Sequence, residues 1–245
     1  MAALTSAEYA YLSRPRNSKR HSLVSSGFPA LDKLIRNEGY PDRSAILVIG
    51  PPGIGKEALG YRFAFSGLGR GDFCVYATTL TVRDVLDDIK AFGLDASEKV
   101  PLWFAPEGGQ LKYDINDLSS ISFNLKEILK KNADRRIRLV VDSFSPFLML
   151  NPPETVYKFL AQLILEVKRY DAVLFGTIEE GMHAPQVIAA MQQLFDGVIE
   201  LRFFEDGLRL VPLLRVKKMR GAPPEAGYYN FSITRNGMEA SAYVK

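Results

Sequence analysis

Gly50-Pro51-Pro52-Gly53-Ile54-Gly55-Lys56 has the spacing G-x-x-x-x-G-K, which serves phosphate binding. Glycines allow the backbone dihedrals that bring successive N–H groups around phosphate oxygens. A helix beginning at Lys56 aims its N-terminal dipole at the same anion. Lys56 adds a mobile positive charge for the β- and γ-phosphates of a nucleoside triphosphate. The expected phosphate-binding set is Gly50, Pro52, Gly53, Ile54, Gly55, Lys56, Glu57 and Ala58. Glu57 stands where the motif carries a Ser or Thr whose hydroxyl ligates Mg²⁺. A carboxylate also ligates Mg²⁺, and the first helical turn accommodates an acid. It is longer than a hydroxyl, however, and brings negative charge near the phosphates. Two readings follow: Glu57 ligates the metal, with altered coordination and slow hydrolysis, or it turns to solvent and water replaces the hydroxyl.

A second acid belongs with the loop. Arg138-Leu139-Val140-Val141-Asp142-Ser143 reads as an apolar strand ending in a carboxylate. Beside a phosphate loop such an Asp holds Mg²⁺, usually through water; the other reading of Asp142 is a turn or helix-cap acid. Ser143 is expected on the same rim, and Thr177 is a candidate phosphate sensor. Glu179 and Glu180 follow a strand expected to end near Thr177, and both read as loop acids, as does His183 as a loop residue. Cys74 falls within an expected strand as a small core residue. Trp103 and Phe104 read as core rather than as a base-stacking platform.

These groups need strands and helices to hold them. Short apolar runs at 44–49, 72–78, 100–105, 137–141 and 172–177 read as buried parallel strands. Helical periodicity appears at 56–66, 82–92, 118–131, 153–170 and 184–195. In the helix at 153–170, Val156, Phe159, Leu160, Leu163 and Val167 share one face. From Gly197 the pattern changes to strands at 197–203, 208–219 and 228–234, joined by short turns, one carrying Asp206-Gly207. The fold class is therefore α/β: a mostly parallel central sheet flanked by helices, with right-handed crossovers and C-terminal antiparallel strands.

Composition narrows the chemistry. One cysteine in 245 residues excludes an intramolecular disulfide and a Cys-rich zinc site. His21 and His183 leave little for a His-based metal centre. Thirty-one basic against 28 acidic residues give a net charge of +3, too balanced to imply nucleic acid from bulk charge. Positive charge clusters instead at Arg14, Arg16, Lys19 and Arg20, in residues 1–22, which read as a basic N-terminal arm ahead of one domain at 23–245. The arm is either solvated or touches a neighbouring subunit or a polyanion. The N-terminus lacks a secretory pattern, and no apolar run approaches the roughly 20 residues of a membrane helix, so a soluble, cytoplasmic protein without membrane contact is expected.

Several segments together resemble the KaiC-like branch of the RecA superfamily of P-loop ATPases. Ser26-Gly27-Phe28-Pro29-Ala30-Leu31-Asp32-Lys33-Leu34 resembles the family's lead-in helix, Gly50 to Lys56 its Walker A loop, and Val140-Val141-Asp142-Ser143 its Walker B strand. Lys218-Met219-Arg220-Gly221 resembles its K-x-RG segment, and Tyr229, Phe231, Ile233, Thr234 and Gly237 its closing Y-x-F-x-I-T-x-x-G. The resemblance spans about Ser25 to Ala240. It implies a RecA-like core binding ATP and Mg²⁺ that self-assembles as a hexamer or filament with nucleotide between subunits. It also implies that Lys218 and Arg220 act in trans on the γ-phosphate held by a neighbour, Arg220 as an arginine finger. The other reading of Lys217, Lys218 and Arg220 is solvated residues at a strand end. Where the family carries paired glutamates after the second strand, this chain has Thr79 and Leu80. Loss of a general base removes about 10²–10⁴ in rate. Three functions are compatible with these residues: an oligomerising ATP-binding switch with weak or absent hydrolysis, an active ATPase accessory to DNA recombination or repair, and a regulatory interaction protein, with an unidentified protein partner, that has lost nucleotide function.

Overall fold

Strand β1 (Ala45–Gly50) lies in the middle of an eight-stranded sheet and is buried at every position. The computed structural model describes residues 23–35, 39–94, 114–221, 227–234 and 237–242. Its other strands are β2 (Phe73–Thr78), β3 (Ile137–Asp142), β4 (Ala172–Glu179), β5 (Gly197–Asp206), β6 (Arg209–Met219), β7 (Tyr229–Thr234) and β8 (Gly237–Ala242). Their order across the sheet is β2-β3-β4-β1-β5-β6-β7-β8. The first five in that order run parallel, and β5 to β8 are antiparallel. The α/β architecture with an antiparallel C-terminal extension is thus as the residues led one to expect. The basic arm at 1–22, the strand at 100–105, Trp103 and Phe104 lie outside the described residues.

The period of two along β1 divides its side chains between two cores. Ile46 and Val48 join a cluster with Leu59, Tyr61 and Phe63 of α2 (Lys56–Leu68), Val85 and Ile89 of α3 (Val82–Ala91) and Leu31 of α1 (Pro29–Leu34). Ala45, Leu47 and Ile49 face the other way. They meet α4 (Leu118–Lys131), α5 (Ser145–Leu150), α6 (Pro153–Arg169) and α7 (Pro185–Leu194) through residues such as Leu125, Phe147, Leu160 and Met191. A strand covered on both faces must be apolar throughout, which is why β1 reads as an unbroken apolar run rather than an alternating one. The apolar face expected on α6 is buried as a stripe: Val156, Phe159, Leu160, Leu163 and Val167.

One charge sits inside this core. Arg138, in β3, is fully buried; its Nε donates to Asp72 at 2.7 Å, and one Nη donates to the Ser25 and Phe63 carbonyls and the Ser66 hydroxyl. Its guanidinium lies 4.9 Å from the Phe63 ring centroid. Gly67 in α2 makes room, since a Cβ there would come within 2.3 Å of Arg138 Nε.

Two elements had no sequence signal strong enough to place them. The six residues of α5 are too few for helical periodicity. β8, Gly-Met-Glu-Ala-Ser-Ala, has weak strand propensity and is held by pairing to β7. β4 also extends two residues past Thr177, because its ladder with β1 continues to the pair Gly50 and Glu179. Among the described residues no helix is long and apolar enough to cross a membrane.

The strand order places the site. The chain leaves β1 for the far edge at β2, returns through β3 and β4 to one flank of β1, and then adds β5 on its other flank. Ligands in such sheets bind at the carboxyl ends of the strands beside this reversal. Gly50, Asp142 and Glu179 are the last residues of β1, β3 and β4, so all three stand on that edge.

Candidate functional site

The loop from Gly50 to Lys56 joins β1 to α2, the strand-to-helix setting its spacing requires. Gly53 and Gly55 take left-handed φ values of 74° and 96°, a region that favours glycine. Gly55 is the N-cap of α2 and supplies no side-chain acceptor, so the first N–H groups of the helix point toward the loop without a side-chain cap. Ile54 anchors the loop in the core. A Cβ on Gly55 would come within 2.7 Å of Ile233 Cδ1, so β7 packs directly on the loop.

Lys56 is almost fully buried. Its Nζ donates to the Pro51 carbonyl at 2.7 Å and to Glu179 Oε2 at 2.8 Å. Glu179 is therefore no loop acid. It is the final residue of β4 and ion-pairs with the loop lysine. Its backbone N–H donates to Ser145 Oγ at 2.9 Å, and Ser145 Oγ also lies 3.0 Å from His183 Nε2. Glu180 is exposed, and His183 is in the turn after β4 as expected; burial lowers the pKa of His183.

Asp142 carries two hydroxyl donors: Thr177 Oγ1 at 2.6 Å on Oδ1 and Tyr76 OH at 2.9 Å on Oδ2. Burial raises its pKa; the two hydrogen bonds and Lys56 oppose that rise, and Glu179 adds to it. Burial likewise raises the pKa of Glu57, with Asp142 and Asp88 adding to the rise and its own backbone N–H and Lys56 opposing it. The peptide between Asp142 and Ser143 is cis, and Ser143 Oγ accepts from the Ser145 N–H at 3.2 Å.

Tyr76 and Tyr61 escaped the sequence reading. Their rings stack with centroids 4.9 Å apart, and Tyr61 OH donates to Asp88 at 3.1 Å. Burial raises both phenol pKa values, so both remain neutral donors. The available signal was a tyrosine in the middle of the largely apolar strand Phe73–Thr78, because a buried hydroxyl requires a partner. Cys74 is a core residue whose thiol burial pushes up to about 12.

The donor set suits Mg²⁺. Asp142 and Glu57 offer hard carboxylate oxygens, and among the described residues no group of three His, Cys, Asp or Glu side chains forms a closed metal cage. Mg²⁺ typically uses one or two carboxylates, substrate phosphates and water. After β2, Thr79 and Leu80 are exposed. The nearest following acid, Asp84, is engaged in a capping box with Thr81 at the start of α3.

Lys218 and Arg220 are not at this loop. Lys218 Nζ donates to the carbonyls of Gln192, Gln193 and Phe195, capping the end of α7. Arg220 Nε donates to buried Asp196 at 2.9 Å, while its side chain remains 66% exposed. Met219 pairs with Gly197 at the start of β5, and Gly197 pairs with Ile46 near the start of β1. The two cations therefore sit at the amino-terminal edge of the parallel strands, opposite Gly50 to Lys56.

The profile of the family described as "ATPase: KaiC" matches residues 24–242. A UPF0273 protein of Pyrococcus horikoshii is 30% identical over 238 residues, covering 88% of this chain and 92% of that protein. The circadian clock oscillator protein KaiC of Synechococcus elongatus is 26% identical over 96% of this chain and 47% of its own length. The crystal structure of a KaiC-like protein from Pyrococcus horikoshii superposes with a TM-score of 0.76 at 22% identity, covering 90% of this chain and 99% of that one. With the fold, the Walker A loop and a profile match across nearly all of its length, the chain belongs to the KaiC family of RecA-like P-loop ATPases.

Proposed function

We propose that this protein is an ATP-binding switch that holds nucleotide and Mg²⁺ at the Gly50–Lys56 loop and assembles with copies of itself. The observation that carries this reading is the convergence of a strand–loop–helix phosphate cradle, buried Lys56, and Asp142 at the end of β3. The loop N–H groups and Lys56 bind phosphates, and Asp142 with Glu57 would hold the metal. Mg²⁺ supplies neutralisation of charge on the β- and γ-phosphates. Hydrolysis is weak in this reading because the residues after β2 are Thr79 and Leu80 and the next acid caps a helix. A role of Lys218 and Arg220 on phosphate is in trans, a reading supported by their place at the opposite edge of the sheet from their own loop.

The test is calorimetry of ATP with Mg²⁺ on the native chain and on Lys56→Ala. Binding by the first, lost in the second, is expected; absence of binding by the native chain refutes the nucleotide role. Phosphate release runs alongside, with Thr79→Glu as the variant that restores an acid after β2. Rapid turnover by the native chain would overturn the weak-hydrolysis part.

A further inference from the structure

The ammonium of Lys56 in the phosphate loop lies 2.8 Å from the Glu179 carboxylate, and Asp142 ends the neighbouring strand on the same edge. The ammonium that should receive phosphate is already paired. The backbone of Glu179 is fixed, unlike that of a loop acid. Its backbone is in register with Gly50 in the β1–β4 ladder, its N–H is held by Ser145, and the next N–H, of Glu180, donates to the Gly50 carbonyl at 2.9 Å.

Incoming phosphate must therefore take Lys56 Nζ from Glu179 or share it. Either way a carboxylate carried on a fixed backbone stays close to the phosphate oxygens. Glu179 is only 22% exposed, so solvent screens this repulsion poorly. A bare triphosphate brings its negative charge against the Glu179 carboxylate, whereas a triphosphate arriving with a divalent cation brings positive charge that offsets it.

We infer that Glu179 is a specificity-determining residue that makes the phosphate loop accept nucleotide carrying a divalent cation and reject the bare nucleotide. The inference rests on the nucleotide-binding reading of the loop and adds to it a selection among nucleotide forms.

The experiment measures the affinity of ATP with Mg²⁺ and with a chelator, by calorimetry, on the native chain, Glu179→Gln, Glu179→Asp and Glu180→Gln. Glutamine keeps the shape of Glu179 and a hydrogen-bond acceptor for Lys56, and removes only the charge. Glu179→Gln is expected to bind metal-free ATP about tenfold more tightly. It gains less with Mg²⁺, so its preference for the metal-loaded form falls by a similar factor. Glu179→Asp and Glu180→Gln, the first retaining the charge and the second removing one from the exposed neighbour, keep the native preference. An unchanged preference in Glu179→Gln, weaker binding of bare ATP by it, or an equal loss of preference in Glu179→Asp overturns the inference. If the native chain binds ATP under neither condition, the nucleotide reading itself fails and the selection falls with it.

Discussion

Asp142 illustrates how the surroundings of a single residue set the cost of its charge. It is half-buried against two hydroxyls, and desolvation nonetheless dominates, lifting its pKa above the ordinary carboxylate value. Glu57 is lifted for the same leading reason. A carboxyl whose folded pKa lies above its unfolded one stabilises the fold least when ionised. The contribution of these two groups therefore declines as pH rises through their folded pKa values. Asp142→Asn in the metal-free protein is expected to melt higher than the native chain. The difference should be small near about pH 4 and grow toward about pH 7. Thermal melts across that range check it, and a gap that shrinks with rising pH contradicts it. Tyr76 is a positioning residue in this arrangement. Under the proposed function, Tyr76→Phe, which removes one of two donors orienting Asp142, weakens Mg²⁺-dependent ATP binding several-fold, by about 1 kcal/mol, with ATP binding in chelator unchanged. Calorimetry under both conditions distinguishes this from general damage to the site, which would lower both.

At the scale of elements, packing overrides local preference where α2 crosses β3. Helix propensity favours alanine over glycine by about 1 kcal/mol, so Gly67→Ala in α2 would be stabilising on propensity alone. The added Cβ would instead meet Arg138 Nε at 2.3 Å and Cδ at 2.5 Å. Arg138 is held by Asp72, Ser25, Phe63 and Ser66 and cannot retreat. The expected outcome is a loss of about 1–3 kcal/mol, read by denaturant unfolding; an increase in stability would show that Arg138 yields. The same dependence on neighbours governs β4. Its last two residues are strand because β1 lies alongside, and that extension carries Glu179 to Lys56.

For the whole molecule, the two ends of the parallel strands have different chemistry. The carboxyl edge holds the phosphate loop and its acids, and the amino edge holds Lys218 and Arg220 on the end of α7 and on Asp196. Arg220 is fixed through Nε and its backbone while most of its side chain faces outward. Under the proposed function, ATP with Mg²⁺ raises the assembly state, and Arg220→Ala reduces that rise while leaving nucleotide affinity of the single chain within a few-fold. Sedimentation with and without nucleotide checks this, and the same oligomer in both conditions rules out nucleotide as interface glue.

The amino-acid sequence by itself determined the α/β alternation, the placement of β1, β3 and α2, and the identity of the phosphate loop. These depend on local signals: unbroken apolar runs, helical spacing, and glycines where φ must be positive. The KaiC-type assignment was legible in the lead-in segment and the K-x-RG stretch as well. Tertiary structure decided what those residues touch. Glu179 changed from loop acid to partner of Lys56, Tyr76 became a donor to Asp142, and Lys218 and Arg220 gained partners at the end of α7 and on Asp196. Each pairing joins residues on different elements, 123 positions apart for Lys56 and Glu179 and 66 for Tyr76 and Asp142. Strand order and register bring such residues together, and both are set by how the whole sheet packs rather than by any run of neighbours along the chain.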